Sequence, residues 1–500
     1  VIGPICGQGR AVSELVEDAR TALNHHDEGF ASTCLLEHLH EQPDDVEAWE
    51  VLCRLLMDTD RGPFAYPIAL CAVQKARNWR TLLMLGAIEA NLQKPATNTL
   101  KAALKAMPKN QTEREKAVVY RLLANAYSQA LNFKKAEYWG RKSLEIEDHS
   151  QAHIAIATSA LHQRLWKEGW YHYKFQIGHH GMRPKHDYGA PEWEGQEGRI
   201  LIYGDQGIGD QIAFMSAMPV RPAQINCVAK LKKLFQRAFP HSEVHGDWHL
   251  KRFDWALKSD YQASMATAMQ WAEIKPRGRY LDPLPEKILQ WRGLLNSRGS
   301  KPKIGIAWTG GSTGSAGWRD RSLRLQDLKP LLEMPFDWIS LEYKDKSDEI
   351  GMFERETGIK IFDYSWGTQS ADYEDTAALV DCLDAVVCVP TAVYHLAGAL
   401  GKPALVLVHA TPHWHEGFSG PCPWWETVEF YRRKDLGKDG AIQAVKKRLE
   451  ELVNVEVHNE LRPGGVENLR AAISRNMAGN PDHGLRRAGG EISSTSAHNI

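Results

Sequence analysis

The chain has 500 residues, too many for a single hydrophobic core, so two to four domains are expected. Hydrophobic residues make up 43% and charged residues 25%, which excludes a disordered, fibrous or membrane-embedded chain. Basic and acidic side chains number 61 and 62, so no global field draws the chain to nucleic acid or to an anionic membrane.

Residues 11–180 read as helices. At a period of ~34 residues, small and aromatic residues recur where paired helices need them. Tyr120, Leu123, Ala124, Tyr127 and Ala136 form the clearest set, with Asp148 where Pro is usual. Earlier units carry Leu15, Ala19, Ala31 and Pro43, then Trp49, Ala65 and Ala72, then Leu85, Gly86 and Pro108. A last, degenerate pair runs from Gln151 to about Gln176 with Gly169 and Trp170. The pattern resembles tetratricopeptide repeats, which stack into a curved solenoid with a concave face. Two roles stay open: a groove that recruits an acceptor or protein partner, and a scaffold that positions or dimerises the rest. His179 and His180 read as solvated loop, because a metal needs three or four ligands.

A linker rich in Gly, Pro and charge spans 181–198. Residues 199–296 then read as a Rossmann-like domain. Ile200–Tyr203 is a strand, Gly204, Gly207 and Gly209 form a permissive turn, and Asp210 begins a helix that stops at Pro219. The glycine spacing is not G-x-G-x-x-G, and no acid follows Gln224–Val228 to hold a ribose, which argues against a nicotinamide or flavin cofactor.

Residues 297–455 read as a second Rossmann-like domain. Ile304–Trp308 is a buried strand, and the loop Thr309–Ser322 can bring backbone N–H groups and Arg319 or Arg321 onto a phosphate. No G-K-[ST] closes that loop, so it is not a P-loop. Ala371–His409 reads helix, strand, turn, helix, strand. Thr391 caps a helix at the end of a parallel strand, so a diphosphate at Thr391 and Ala392 would meet free N–H groups and a positive dipole end. His413 and His415 flank Trp414, a ring suited to stacking on a base or sugar, but that loop shows too few ligands for a metal. Ala441–Val453 reads as a closing helix, and 456–500 as a flexible tail.

Three segments carry a resemblance. Thr391, His395, Leu396, Ala397, Gly398, Ala399, Leu400, Gly401, Lys402 and Pro403 form T-x-x-x-H-L-A-G-A-L-G-K-P, preceded by D-Y-E-D-T-A-A-L-V at Asp372–Val380. Trp193, Gly195, Gln206, Gly207, Gly209 and Asp210 form W-E-G followed by G-D-Q-G-I-G-D. Trp308, Gly310, Arg321 and Ser322 form W-x-G followed by R-S. Together they are similar to bacterial glycosyltransferases that fuse tetratricopeptide repeats to a GT-B module, related to the glycosyltransferase family 9 heptosyltransferases and to O-GlcNAc-transferase-like enzymes. The fold so implied is multidomain, an all-α solenoid followed by an α/β GT-B module of two Rossmann-like domains.

The resemblance implies transfer of a sugar from a nucleotide-sugar donor to an acceptor hydroxyl or amine, without a metal or other cofactor. Asp210 would be the catalytic base, with Gln206, Gly207 and Gly209 in the acceptor-side loop. Trp308, Gly310, Arg321, Ser322, Thr391, Ala392 and His395 would bind the donor. Plain structural roles compete: Asp210 as a helix cap, Arg321 as a surface partner of Asp320 or Asp327. The family usually has Asp before the Thr, and this chain has Pro390, which redirects or abolishes donor binding. The alternative is a non-catalytic repeat scaffold whose transferase-like module only binds a ligand. Expected partners are a nucleotide-sugar, a protein or glycan acceptor, a protein in the repeat groove and a second copy of the chain. Nucleic acid is disfavoured by the net charge. No apolar run reaches the ~20 residues of a membrane helix, no signal-peptide pattern opens the chain, and eight scattered cysteines without C-x-x-C fit a reducing cytoplasm.

Overall fold

The computed structural model describes residues 19, 21, 22, 27–59, 61–178, 185–247, 254–311 and 321–460. Leu15, His179, His180, Arg319, Asp320 and the tail beyond Glu460 lie outside the described residues. The described residues up to Val445 form one unit. The second is described only as far as Glu460, as the end of a helix.

Nine helices come first among the described residues: α1 (Glu28–Glu41), α2 (Val46–Asp58), α3 (Gly62–Lys75), α4 (Trp79–Asn91), α5 (Thr97–Ala106), α6 (Glu113–Gln129), α7 (Phe133–Leu144), α8 (Ser150–His162) and α9 (Trp166–Tyr173). Asp45, Asn78 and Thr112 each accept a backbone N–H at a helix start, which satisfies donors the helix cannot. The α2, α4, α6 and α8 starts fall close to the expected ~34-residue period. Gln93, Leu131 and Arg164 close the turns α4–α5, α6–α7 and α8–α9 with φ of 55°, 56° and 63°. The left-handed backbone is therefore a repeated device of these turns. Ala31 to Ile88 share one apolar core and Ala90 to Ala136 another. Ala157, Leu161, Trp170 and Tyr173 of the last pair instead join the core of the sheets.

Segment 185–198, expected as linker, packs along a sheet edge. Tyr188 and Trp193 are buried, and their N–H groups donate to Gln262 Oε1 (2.8 Å) and Gln262 O (2.7 Å).

The first sheet has four parallel strands, β1 (Ile200–Tyr203), β2 (Gln224–Asn226), β3 (Glu243–His245) and β4 (Tyr261–Ser264), in the order β3-β2-β1-β4. Helix α10 (Ile208–Ser216) follows β1, α11 (Lys232–Ala238) follows β2, and α12 (Pro285–Asn296) leads to the second sheet. That sheet is also parallel, with β5 (Lys303–Ala307), β6 (Asp337–Ser340), β7 (Ile361–Phe362), β8 (Ala385–Cys388), β9 (Ala404–Val408) and β10 (Val428–Arg432). Its order, β10-β9-β8-β5-β6-β7, reverses between β5 and β8. Ligands of open parallel sheets bind at such a reversal, beyond the carboxyl ends of the strands. Its helices are α13 (Leu325–Leu332), α14 (Ser347–Thr357), α15 (Glu374–Asp381), α16 (Ala392–Ala399) and α17 (Arg433–Glu460), the last broken at Gly437. Strands such as Val386–Cys388 and Leu405–Val408 are buried on both faces, hence continuously apolar.

Acidic residues at the start of α15 tie the two sheets together. Asp372 pairs with Lys233 (2.7 Å), buried Glu374 with Arg237 (2.6 Å), and Asp375 with Lys287 (3.1 Å). The D-Y-E-D motif thus faces the first sheet's helices, and fixes the gap between the sheets.

Candidate functional site

A cavity of about 590 Å³ opens where the two sheets face each other. Two helix N-termini meet at it. Gly209 in the first turn of α10 lies so close to α16 that a Cβ there would sit 3.0 Å from Ala392 Cα and from His395 Cδ2. A side chain at 209 would push the helices apart, so glycine is required by the approach.

The first sheet contributes Gln206, Gly207, Gly209 and Asp210 to the cavity wall. Asp210 Oδ2 accepts the Gly207 N–H (3.2 Å), so the capping role is real. Its other oxygen, Oδ1, lies 2.7 Å from His415 Nε2. Cap and cavity roles are therefore compatible, because a carboxylate has two oxygens. Burial pushes the Asp210 pKa up, but the His415 hydrogen bond and the neighbouring histidines outweigh it and hold it at about 2. Gln206 Nε2 donates to Tyr173 OH of α9 (2.6 Å). Gln211 braces the turn from below, donating to Gln206 O (2.7 Å) and accepting from Val228 N–H (3.1 Å).

From the second sheet, Thr391 caps α16 by accepting the Val393 N–H (3.2 Å), and Ala392 opens the helix at the cavity. Arg321 lines the wall, and among the described residues it makes no ion pair or hydrogen bond. His409, at the end of β9, lines it too. Burial, with Arg321 and Arg433 nearby, lowers its pKa to about 4. His395 is buried on α16 and accepts the Trp425 indole N–H at Nδ1 (3.1 Å), which leaves the neutral ring its proton on Nε2. Pro390 lines the cavity without a side chain able to hydrogen-bond.

Three of the expected donor residues stand behind the wall. Trp308 is fully buried and donates its indole N–H to Glu349 (3.0 Å), so it does not reach the cavity. Ser322 Oγ accepts the Gly310 N–H (3.1 Å), which folds the loop back on itself. Beside them Glu342 accepts Trp308 N–H (2.7 Å), Thr309 N–H (2.8 Å) and the Thr309 hydroxyl, and burial raises its pKa. Trp414 is not a stacking platform. It is buried among Trp170, Tyr173 and Phe214.

The residues that sequence reasoning missed sit in the loop after β9. His413, His415 and Glu416 all line the cavity, and Glu416 accepts from Tyr394 OH (3.0 Å) and His413 N–H (3.2 Å). His415 Nδ1 is buried without a hydrogen-bond partner. The available signal was position: polar residues just past a buried parallel strand lie at the binding end of the sheet. Among the described residues, no group of three or more His, Cys, Asp or Glu is arranged to hold a metal ion, and no helix is long and apolar enough to cross a membrane.

No family model matches the chain. Protein FlbA of Caulobacter vibrioides (strain ATCC 19089 / CIP 103742 / CB 15) is 26% identical over 435 residues, which cover 79% of this chain and 71% of FlbA. Solved structures match about a third of the chain. A MamA RS-1 double mutant is 16% identical, covers 34% of this chain and 94% of its own, and has a TM-score of 0.29. PilW, described as a widely conserved type IV pilus biogenesis factor, is 14% identical, with 33% and 76% covered and a TM-score of 0.30. PilF of Pseudomonas aeruginosa is 17% identical, with 33% and 74% covered and a TM-score of 0.28. At these TM-scores the matches assign neither fold nor function.

Proposed function

We propose that the chain is a GT-B glycosyltransferase that moves a sugar from a nucleotide-sugar to an acceptor hydroxyl or amine in the cytoplasm. The observation that carries the reading is one cavity lined by groups of opposite charge. The N-terminus of α16 and Arg321 line it together with Asp210, which is paired with His415. The donor diphosphate would lie at Thr391 and Ala392, its charge met by Arg321 and the helix dipole. Asp210 would accept a hydrogen bond from the acceptor nucleophile. As the anomeric carbon–phosphate oxygen bond breaks and the new glycosidic bond forms, the acceptor proton passes to Asp210. A carboxylate held at about 2 is a weak base, so it chiefly stabilises positive charge developing on the sugar and takes the proton late. His395 lines the same cavity with its proton on Nε2, a donor for the sugar or the leaving phosphate.

The test is calorimetry with UDP, GDP, ADP, CMP and their sugars, on the wild type and on Arg321→Ala. Binding of one nucleotide, weakened in the variant by about 1–3 kcal/mol for a lost charged hydrogen bond, is expected. No binding by folded wild type would remove the donor site. Pro390 favours a second reading, a ligand-binding module without turnover. Binding with no transfer or hydrolysis of the bound nucleotide-sugar would select it.

A further inference from the structure

The loop that carries His413, His415 and Glu416 is held from the helical region. It makes one tight turn, closed by Gly417 N–H to His413 O (2.9 Å). Such a turn points its carbonyls one way, and those carbonyls need donors. Arg164, in the turn between α8 and α9, supplies them. Its guanidinium donates to Trp414 O (3.1 Å), His415 O (3.4 Å) and Glu416 O (2.8 Å). Arg432 of β10 donates to Glu416 O (2.6 Å) and Gly417 O (3.2 Å) from the sheet side. A Cβ on Gly417, whose φ is +66°, would fall 2.4 Å from Arg164 Nη2. The missing side chain is what admits the guanidinium. His162 lies 2.9 Å from Pro412 O, and Phe133 of α7 meets Phe418 edge to face at 5.7 Å.

We propose that Arg164 is a positioning residue for the reaction: by bridging three successive carbonyls of the turn at 413–417, it sets His415 against Asp210, so the helical region completes the active site. The proposal rests on the transferase reading for its catalytic meaning, but its geometry can be tested without a substrate. A planar guanidinium holds its donors in a pre-organised fork, whereas an ammonium on a flexible stem holds the same carbonyls less firmly.

The experiment uses the full chain labelled with [15N]histidine. The Nε2–H signal of His415 is assigned by its disappearance in both His415→Gln and Asp210→Asn. Arg164→Gly is the main variant, because glycine adopts the left-handed backbone at 164 without strain and so protects the fold. Arg164→Lys keeps a cation at the same place. Expected are loss of the signal in Arg164→Gly, a weakened signal in Arg164→Lys, and unchanged affinity of both for whichever of UDP, GDP and ADP the wild type binds. With that donor's sugar and water as the acceptor, kcat for hydrolysis falls at least tenfold in Arg164→Gly at unchanged donor KM. An unshifted signal in both variants overturns the proposal, as does a wild type with no signal sensitive to both assignment variants. If the wild type binds none of the diphosphates, the transferase reading fails and takes the catalytic role of Arg164 with it, while the signal still reports the clamp.

Discussion

The helix pairs from α1 to α7 and the pair α8–α9 come from one repeating pattern, yet they do different work. Apart from Phe133 of α7, which meets Phe418, the described residues of the earlier pairs bury their apolar faces against neighbouring helices. The last pair buries Leu161, Trp170 and Tyr173 in the core of the sheets, and its turn grips the His413–Gly417 loop. A solenoid is nearly one-dimensional, so damage in it stays near its place. The sheet region assembles its site from segments about two hundred residues apart, such as Asp210 and His415, so damage there spreads.

The largest expected contrast comes from one substitution made twice. A Cβ on Gly398 would lie 2.2 Å from Cγ of buried Trp425, a ring already bonded to His395. Gly398→Ala should cost about 3 kcal/mol or more, because neither ring nor helix can retreat. A Cβ on Gly86 meets the side chain of Leu100 at 2.5 Å, a flexible group that can change rotamer. Ala also recovers about 1 kcal/mol of helix propensity there, so Gly86→Ala should cost about 1 kcal/mol. Denaturant melts of the two variants give the ranking, and equal losses would break the comparison.

Arg237→Ala comes next. It removes the cation bonded to buried Glu374, and among the described residues the Leu284 N–H is then the donor left to that carboxylate. A loss of about 3 kcal/mol is expected by the same melts, with a weakened tie between the sheets.

Acid sharpens the comparison, since each region holds a depressed histidine. Burial, then His153, lowers His172 of α9 to about 4, and burial lowers His409 to about 4. The unfolded chain binds these protons below about 6.5 and the folded chain only below about 4. Their stabilisation is therefore complete above pH 6.5 and lost as pH falls to 4. Asp210, lowered to about 2, is also a depressed group: its share persists to about pH 4 and is lost only towards pH 2. Thermal melts from pH 7 to 3 should show the histidine loss first. Either His172→Asn or His409→Asn should shrink the loss without abolishing it, since burial also lowers His162, His245, His395 and His413, and a curve flat from 6.5 to 4 would contradict both assignments.

The smallest effect belongs to the solenoid. Asn78 caps α4 by accepting the Arg80 and Thr81 N–H groups. Asn78→Ala should cost about 1 kcal/mol. Hydrogen exchange should quicken near α4 and leave residues 404–417 unchanged. Faster exchange at those distant strands would mean that the solenoid and the sheets unfold as one.

Much of the fold was legible. The helix pairs followed from the ~34-residue recurrence of small residues such as Ala31, Ala65, Ala124 and Ala136, and the strands from short apolar runs, because these patterns are local. Asp210, Arg321, Thr391, Ala392 and His395 do line one cavity; the strand-end position pointed to Thr391 and Ala392, the loop after a strand to Arg321, and the resemblance to the others. Trp414 misled, because an aromatic residue reads alike whether it faces a ligand or a core, and Trp308, placed with the donor by the resemblance, is also buried. The pairing of Asp210 with His415 was invisible, since hydrogen bonds across 205 residues leave no local spacing.

By itself the sequence determined the element types, the parallel character of the sheets and the helix N-terminus at Thr391. These depend on neighbours three or four residues away. Only the tertiary structure decided that Arg164 serves a loop of the second sheet and that D-Y-E-D bridges to the first. It also decided that one aspartate both caps a helix and meets a histidine. Those outcomes depend on which surfaces meet, and packing between distant segments follows from shape and buried polar satisfaction rather than from any periodic signal.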